Sequence, residues 1–101
     1  MTQVRRPTSD PDVVDDPDEH RYEIWAGSEL AGSAFYSLTH DSVAFTHTEI
    51  DAAFAGRGLG SRLARAALDD VRGRGLKAVP ICPFIASWIR RHPEYLDLVH
   101  K

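Results

Sequence analysis

From His20 onward, apolar and polar positions alternate along the chain. In HRYEIWAG, Tyr22, Ile24 and Ala26 fall on one side and Arg21, Glu23 and Trp25 on the other, the period of a half-buried strand. GSE is turn chemistry, LAGSAFYSL reads as a second strand, and THDS is another tight turn before VAFTHTEI. Three short strands joined by tight turns predict an antiparallel meander. At Gly56 the period changes. GRGLGSRLARAALDDVRGR puts Leu59, Leu63, Ala66, Ala67 and Val71 at helical spacing, with Arg62, Arg65, Asp69 and Arg72 lining the opposite side. Gly75 is a good stop for this helix. LKAVPIC predicts a fourth strand, and PFIASWIRRH a short second helix closed by Pro93. Pro83 suits the first turn of that helix, where a missing N–H costs nothing. The predicted order β-β-β-α-β-α is an α+β fold with helices on a mainly antiparallel sheet. A right-handed crossover through the first helix makes the third and fourth predicted strands a parallel pair.

The first 18 residues break this pattern. They mix Pro, Asp, Ser and Thr with almost no apolar period, and read as a flexible acidic tail ahead of a single domain over 19–101. A chain of 101 residues with 43% hydrophobic positions can close one modest core. It contains no apolar run long enough to span a bilayer, and MTQVRRPTSDPDVV lacks the apolar centre of a signal peptide. A single cysteine rules out an internal disulfide framework and a multi-cysteine zinc site. The expected location is the reducing cytoplasm, with no membrane partner.

Net charge is −3, but it is unevenly spread: residues 1–20 carry −4, residues 21–54 another −4, and residues 55–101 carry +5. The C-terminal half is therefore the place for an anionic ligand. No aromatic-basic stripe appears, which argues against a nucleic-acid partner.

That basic half opens with AFAGRGLGSRLARAAL. Gly56, Gly58 and Gly60 lie at a strand-to-helix junction, where glycine permits φ > 0 and close approach of another group. A helix N-terminus offers unpaired N–H groups and a positive dipole end, which suits phosphate, and Arg57 and Arg62 add countercharge. The ordinary alternative is a glycine bend with no ligand. A Walker A loop needs a lysine that is missing here. The Rossmann fingerprint would put its third glycine on Ser61, and the preceding sheet is an antiparallel meander.

GRGLGSRL, following HTEID, closely resembles motif A of the GNAT acetyltransferase superfamily, Gln/Arg-x-x-Gly-x-Gly/Ala. Gly58 and Gly60 match its two small positions, while the Gln/Arg position falls on Ala55, leaving Arg57 or Arg62 to supply charge. The resemblance extends over about residues 20–100, through RYEIWAGSELAGSAFY, HTEI and RRHPEYLDL, and is to small single-domain GNAT-like proteins of the YjdJ type. It implies acetyl-CoA (coenzyme A) as cofactor and an amine acceptor, a small molecule or a protein lysine. It also implies that the parallel strands splay apart, with the pantetheine arm paired along Thr48–Asp51. Pro80 fits the strand bordering that gap, because it deletes a ladder donor; an edge strand or bulge would also hold a proline. The cofactor residues carried over are Ile50 and Asp51, the loop Arg57, Gly58, Leu59, Gly60, Ser61 and Arg62, and Cys82 and Ser87.

Two catalytic routes remain open. Cys82, between Pro80 and Pro83, sits where a helix begins, so the dipole favours its thiolate, and an acetyl-cysteine intermediate is one route. Arg90, Arg91 and His92 are candidate helpers, and a plain buried cysteine is the ordinary alternative. The other route is direct attack by the amine with a general base. Strict alternation puts Val43, Phe45, His47 and Glu49 on one face, and Glu49 resembles the glutamate base of GNAT enzymes, with His47 as base or partner. A solvent-facing polar pair is the ordinary reading. Tyr95 is a loose match to a tyrosine acid and is expected to serve packing. A non-catalytic CoA-binding module is the competing function, since little peripheral structure remains to enclose a substrate. The short chain fits a monomer or a weak homodimer.

Overall fold

The computed structural model describes residues 12–100. Five strands form one sheet in the order β1-β2-β3-β4-β5: β1 Asp12–Asp16, β2 Arg21–Ala26, β3 Glu29–Leu38, β4 Ser42–Ile50 and β5 Lys77–Pro80. Helix α1, Leu59–Gly73, connects β4 to β5, and α2, Pro83–Arg91, follows β5. Neighbouring strands are antiparallel except β4 and β5, which are parallel. This is the α+β arrangement expected from the alternation of periods, with one strand more.

The additional strand corrects the N-terminal boundary. Asp12–Asp16, read from the sequence as tail, pairs in register with β2 from Asp12↔Trp25 to Asp16↔Arg21; residues 1–11 lie outside the described residues. Side-chain bonds anchor this strand. Tyr36 donates its hydroxyl to Asp15 at 2.5 Å, and Arg74, past the end of α1, holds Asp15 at 2.6 Å and Asp70 at 2.9 Å. Tyr22 donates to Asp70 at 2.7 Å. Two buried phenols on the sheet thus meet two carboxylates joined by one guanidinium, and charge-assisted bonds of this kind contribute about 1.5–3 kcal/mol each. The carboxylates of an acid-rich segment are what fasten it.

Both helices lie on the same face. Leu63, Ala67, Leu68 and Val71 of α1 and Ile85, Trp88 and Ile89 of α2 join Tyr22, Ile24, Val43 and Phe45 in one core cluster. Ala64 and Leu68 are buried, while Ala66, expected in the stripe, is half-buried. α1 ends in a Schellman motif: Leu76 N–H donates to Val71 O at 3.1 Å and Gly75 N–H to Arg72 O at 3.0 Å, with Gly75 at φ +72. No described helix is long and apolar enough to cross a membrane.

Burial, and then its bond to Asp70, pushes the Tyr22 phenol well above its ordinary 10.0; burial and Asp15 do the same for Tyr36. In the unfolded chain both ionise near pH 10. A folded-state value raised above the unfolded one gives stability that is full below about pH 10 and lost as pH rises beyond it. Denaturant midpoints measured from about pH 8 to 11 should fall steeply at the alkaline end, and Tyr22→Phe should flatten that fall. An equally steep fall in the Tyr22→Phe, Tyr36→Phe double variant would remove the phenols as its cause.

Candidate active site

The β4–β5 ladder runs from Ser42↔Lys77 to Phe45↔Pro80 and stops. Alternation points the Lys77 and Val79 amides at β4 and the Ala78 and Pro80 positions away from it, so the next donor due is Ile81, correcting the expectation that Pro80 itself deletes a ladder donor. Ile81 N–H turns back to Val79 O at 3.0 Å, a γ-turn centred on Pro80 that bends the chain away from β4. Cys82 N–H then makes the last backbone bond across, to Phe45 O at 2.8 Å. Beyond it β4 continues from Thr46 to Ile50 paired only with β3. Asp51 N–H donates to Ala31 O at 2.8 Å, so the antiparallel alternation points the Thr48 and Ile50 amides and carbonyls into the gap. The expected splay is therefore present, with Pro80 at its apex.

β4 leads into the glycine loop. Asp51 caps a 3-10 turn, Ala52–Phe54, through Oδ1 and the Ala53 N–H at 2.8 Å, and Phe54 is buried as the anchor. The Asp51 N–H and Oδ1 thus have protein partners that hold the start of the loop. Arg57 lies 5.2 Å above the Phe54 ring. Gly58 takes φ +74 at the N-cap of α1, a left-handed conformation that L side chains resist. The helix has no side-chain cap and no acid in its first turn, and its first internal bond is Arg62 N–H to Gly58 O at 3.2 Å. The N–H groups of Leu59, Gly60 and Ser61 therefore have no acceptor inside the helix. Leu59 and Ser61 turn their side chains to structural use: Leu59 is buried, and Ser61 Oγ accepts from Trp88 Nε1 at 2.7 Å. Exposed Arg62 adds positive charge beside the loop. An anion of the size of a pyrophosphate fits this donor set.

Gly60 also has a packing use that the sequence did not show. A Cβ there would stand 2.9 Å from Phe84 Cζ, so the absent side chain makes room for a ring of α2. That ring and the Trp88–Ser61 bond tie α2 to the first turn of α1, and aromatic contacts continue from Trp88 past the end of α2. Trp88 stacks on His92 with centroids 3.7 Å apart and meets Tyr95 edge-on at 5.1 Å. Tyr95 donates to Asp69 at 2.6 Å and accepts from Arg65 at 3.2 Å, while burial pushes its phenol upward; it packs, as expected.

The candidate catalytic residues fall into two groups. A β-bulge interrupts the β3–β4 register: Phe35 opposes His47 and Tyr36 opposes Phe45, so Thr46 is the extra residue. The insertion reverses the alternation. Val43 and Phe45 are in the core, whereas His47 and Glu49 are on the opposite, helix-free face with side chains 61% and 62% exposed, correcting the single-face expectation. Their contact, His47 Nε2 to Glu49 Oε2, is 3.1 Å. Cys82 lies on the other side, 4% exposed, at the N-cap of α2, with Sγ 3.4 Å from Thr48 Oγ1. Ser87 is half-buried one turn further along α2, and Arg90, Arg91 and His92 sit at the far end of that helix from Cys82. Thr48, Phe84 and Trp88 complete the site without having been singled out for it; only Thr48, inside the predicted splayed stretch, carried a sequence signal.

A mixed sheet that splays at its parallel pair and runs into a glycine loop and an uncapped helix is the GNAT fold. The chain belongs to the GCN5-related N-acetyltransferase family, whose sequence pattern matches residues 21–98. Among curated relatives, Protein NATD1 of Xenopus tropicalis is 40% identical over 58 residues, covering 55% of this chain and 53% of that protein. Protein NATD1 of Homo sapiens is 42% identical over 53 residues, 50% and 47% of the two chains. The chain thus spans about half the length of the curated relatives it matches. A solution NMR structure of a GCN5-like protein from Staphylococcus aureus superposes with a TM-score of 0.69 at 19% identity, over 92% of this chain and 91% of the other.

The burial of Cys82 has a direct readout. A disulfide reagent should modify the native thiol on the order of 100-fold more slowly than the unfolded chain, since the sulfur must first be uncovered. Native labelling at the unfolded rate would show that the thiol stands open.

Proposed function

We propose that the protein is an acetyl-CoA-dependent N-acetyltransferase in which an amine attacks the thioester carbonyl directly, the C–S bond breaks to release the coenzyme A thiol, and the His47–Glu49 pair takes up the amine's proton. The observation that carries this reading is the unpaired edge of β4 leading straight into the uncapped N-terminus of α1. Acetyl-CoA, when bound, supplies an acetyl group activated as a thioester. The amides of Leu59, Gly60 and Ser61, with Arg57 and Arg62, hold its pyrophosphate; the Thr48 and Ile50 backbone pairs with the pantetheine arm as an added strand. Cys82 and Ser87 line the arm's far side. Glu49, bonded to His47, is the base, and the exposed position of both lets a proton pass on to solvent.

A relay from Cys82 through an acetyl-cysteine to the amine is the second route. Its support is the position of Cys82 at the apex of the splay, beside Thr48. Against it stand the thiol's burial and its separation by β4 from His47 and Glu49. A purely CoA-binding module keeps the cradle and dispenses with both.

Calorimetry with acetyl-CoA tests the cradle. Gly58→Asp places a carboxylate at the anion site and a side chain at φ +74, and should weaken binding at least ~10-fold. Unchanged affinity would mean the pyrophosphate lies elsewhere. Turnover on an amine panel tests the chemistry: Glu49→Gln should lower kcat on the order of 100-fold, with Cys82→Ala staying within a few-fold of wild type. Lost turnover in Cys82→Ala together with acetyl label on Cys82 would establish the covalent route, and binding without turnover on any amine would leave the module.

A further inference from the structure

Resting on that reading, the helix-free face of the sheet indicates the class of acceptor. Two cross-strand rows start at the proposed base: Glu49–Ser33–Glu23–Val14 and His47–Phe35–Arg21–Asp16. Arg21 is the only Lys or Arg between residues 12 and 56, against ten Asp and Glu. Its guanidinium is already committed, 2.8 Å from Glu23 Oε2 and 5.7 Å from the Phe35 centroid. Phe35 in turn stacks on His47 at 6.0 Å. Trp25 Nε1 donates to Glu23 at 3.0 Å, placing the indole on the same face. Glu23 itself is buried beneath Arg21 and Trp25, so the acidity this face presents comes from Glu49 and half-buried Asp16, with an apolar component from half-buried Trp25 and Phe35 and from Val14, 45% exposed.

Charge divides the molecule in two. Residues 57–100 carry eight Lys and Arg against four acids, on the side of the anion cradle. Acidic and basic regions so divided attract an anionic donor to one side and a cationic acceptor to the other. Shape narrows the acceptor further. Among the described residues no helix packs on the face that carries His47 and Glu49, and a small amine is bound well only where walls enclose it. A flat face gains affinity from an extended partner that engages several side chains at once.

We infer that the acceptor is a lysine within a basic, exposed protein segment that lies along this open face. Its target amine reaches His47 and Glu49, its other cations meet Asp16 on the outer strand, and its apolar side chains rest on Val14 and Trp25.

The two tryptophans make the test selective. Trp25 bonds Glu23 on the open face, and Trp88 bonds Ser61 at the loop, so their indole N–H signals report the two sites separately. A 15N-labelled sample is titrated with a lysine-bearing basic peptide, an acidic peptide of equal length with one lysine, spermidine and coenzyme A. The basic peptide should move the Trp25 signal saturably, more weakly as salt is raised, and coenzyme A should move that of Trp88. Val14→Lys, on an edge strand that tolerates lysine, should weaken the peptide response on the order of tenfold and leave the Trp88 response intact. A Trp25 signal that ignores the basic peptide overturns the inference. So does one that answers spermidine or the acidic peptide equally, or shifts with protein concentration alone, as a second copy would cause. If Trp25 responds to the peptide and Trp88 ignores coenzyme A, the acetyltransfer reading fails while the docking surface stands.

Discussion

The γ-turn centred on Pro80 turns the Ile81 amide, the next donor due to β4, back onto Val79 O, and the site follows from that lost ladder bond. The same turn carries the chain away from the sheet. β4 is left with a free edge from Thr46 to Ile50, which a helix-and-sheet core would otherwise have closed. Pro83 then starts α2 at once, so the backbone that left the ladder becomes a helix whose first turn packs against the glycine loop. A regular strand at 77–84 would have extended the parallel pair and filled the space with protein hydrogen bonds. The cost is one side of one strand left unpaired, and the large core that α1 and α2 share on the sheet's other residues carries it.

The bulge at Thr46 is the second constraint, and it separates the chemistry by face. It turns His47 and Glu49 outward while Thr48 remains on the helix side beside Cys82. The exposed His47–Glu49 pair and the buried thiol therefore lie on opposite sides of one strand. The same division appears in the charges. Acidic side chains gather on the first four strands and basic ones on the loop and helices, so the two parts of the chain differ in sign.

Gly60 illustrates how one residue type serves two purposes that look alike in sequence. Gly58 needs a positive φ to begin α1, and that need is local. Gly60 needs only space, and the group that takes it is Phe84, distant in the chain and brought in by α2. Ser61 is similar. Its place in the first turn of α1 marks it as a contact for an anion, yet its hydroxyl is also the acceptor that fixes the Trp88 indole.

Local chemistry was legible. The three-strand alternation from His20, the helical stripe from Leu59 to Val71, the stop at Gly75 and the prolines flanking Cys82 each depend on a few neighbouring residues, and each element formed where its pattern lay. The glycine loop belongs with them, because a positive φ and an uncapped helix start are properties of the segment itself. β1 was not legible, since DVVDD has little strand character and is held by Tyr36 and Arg74 from far along the chain. Nor was the face of His47 and Glu49: alternation within a strand presumes an unbroken register, and register is set by the partner strand. By itself, then, the sequence determined the elements, the glycine loop and the point where the sheet opens. Which side of the opening each reactive group occupies was decided by tertiary structure alone, because one inserted residue in a ladder moves every side chain after it to the other face.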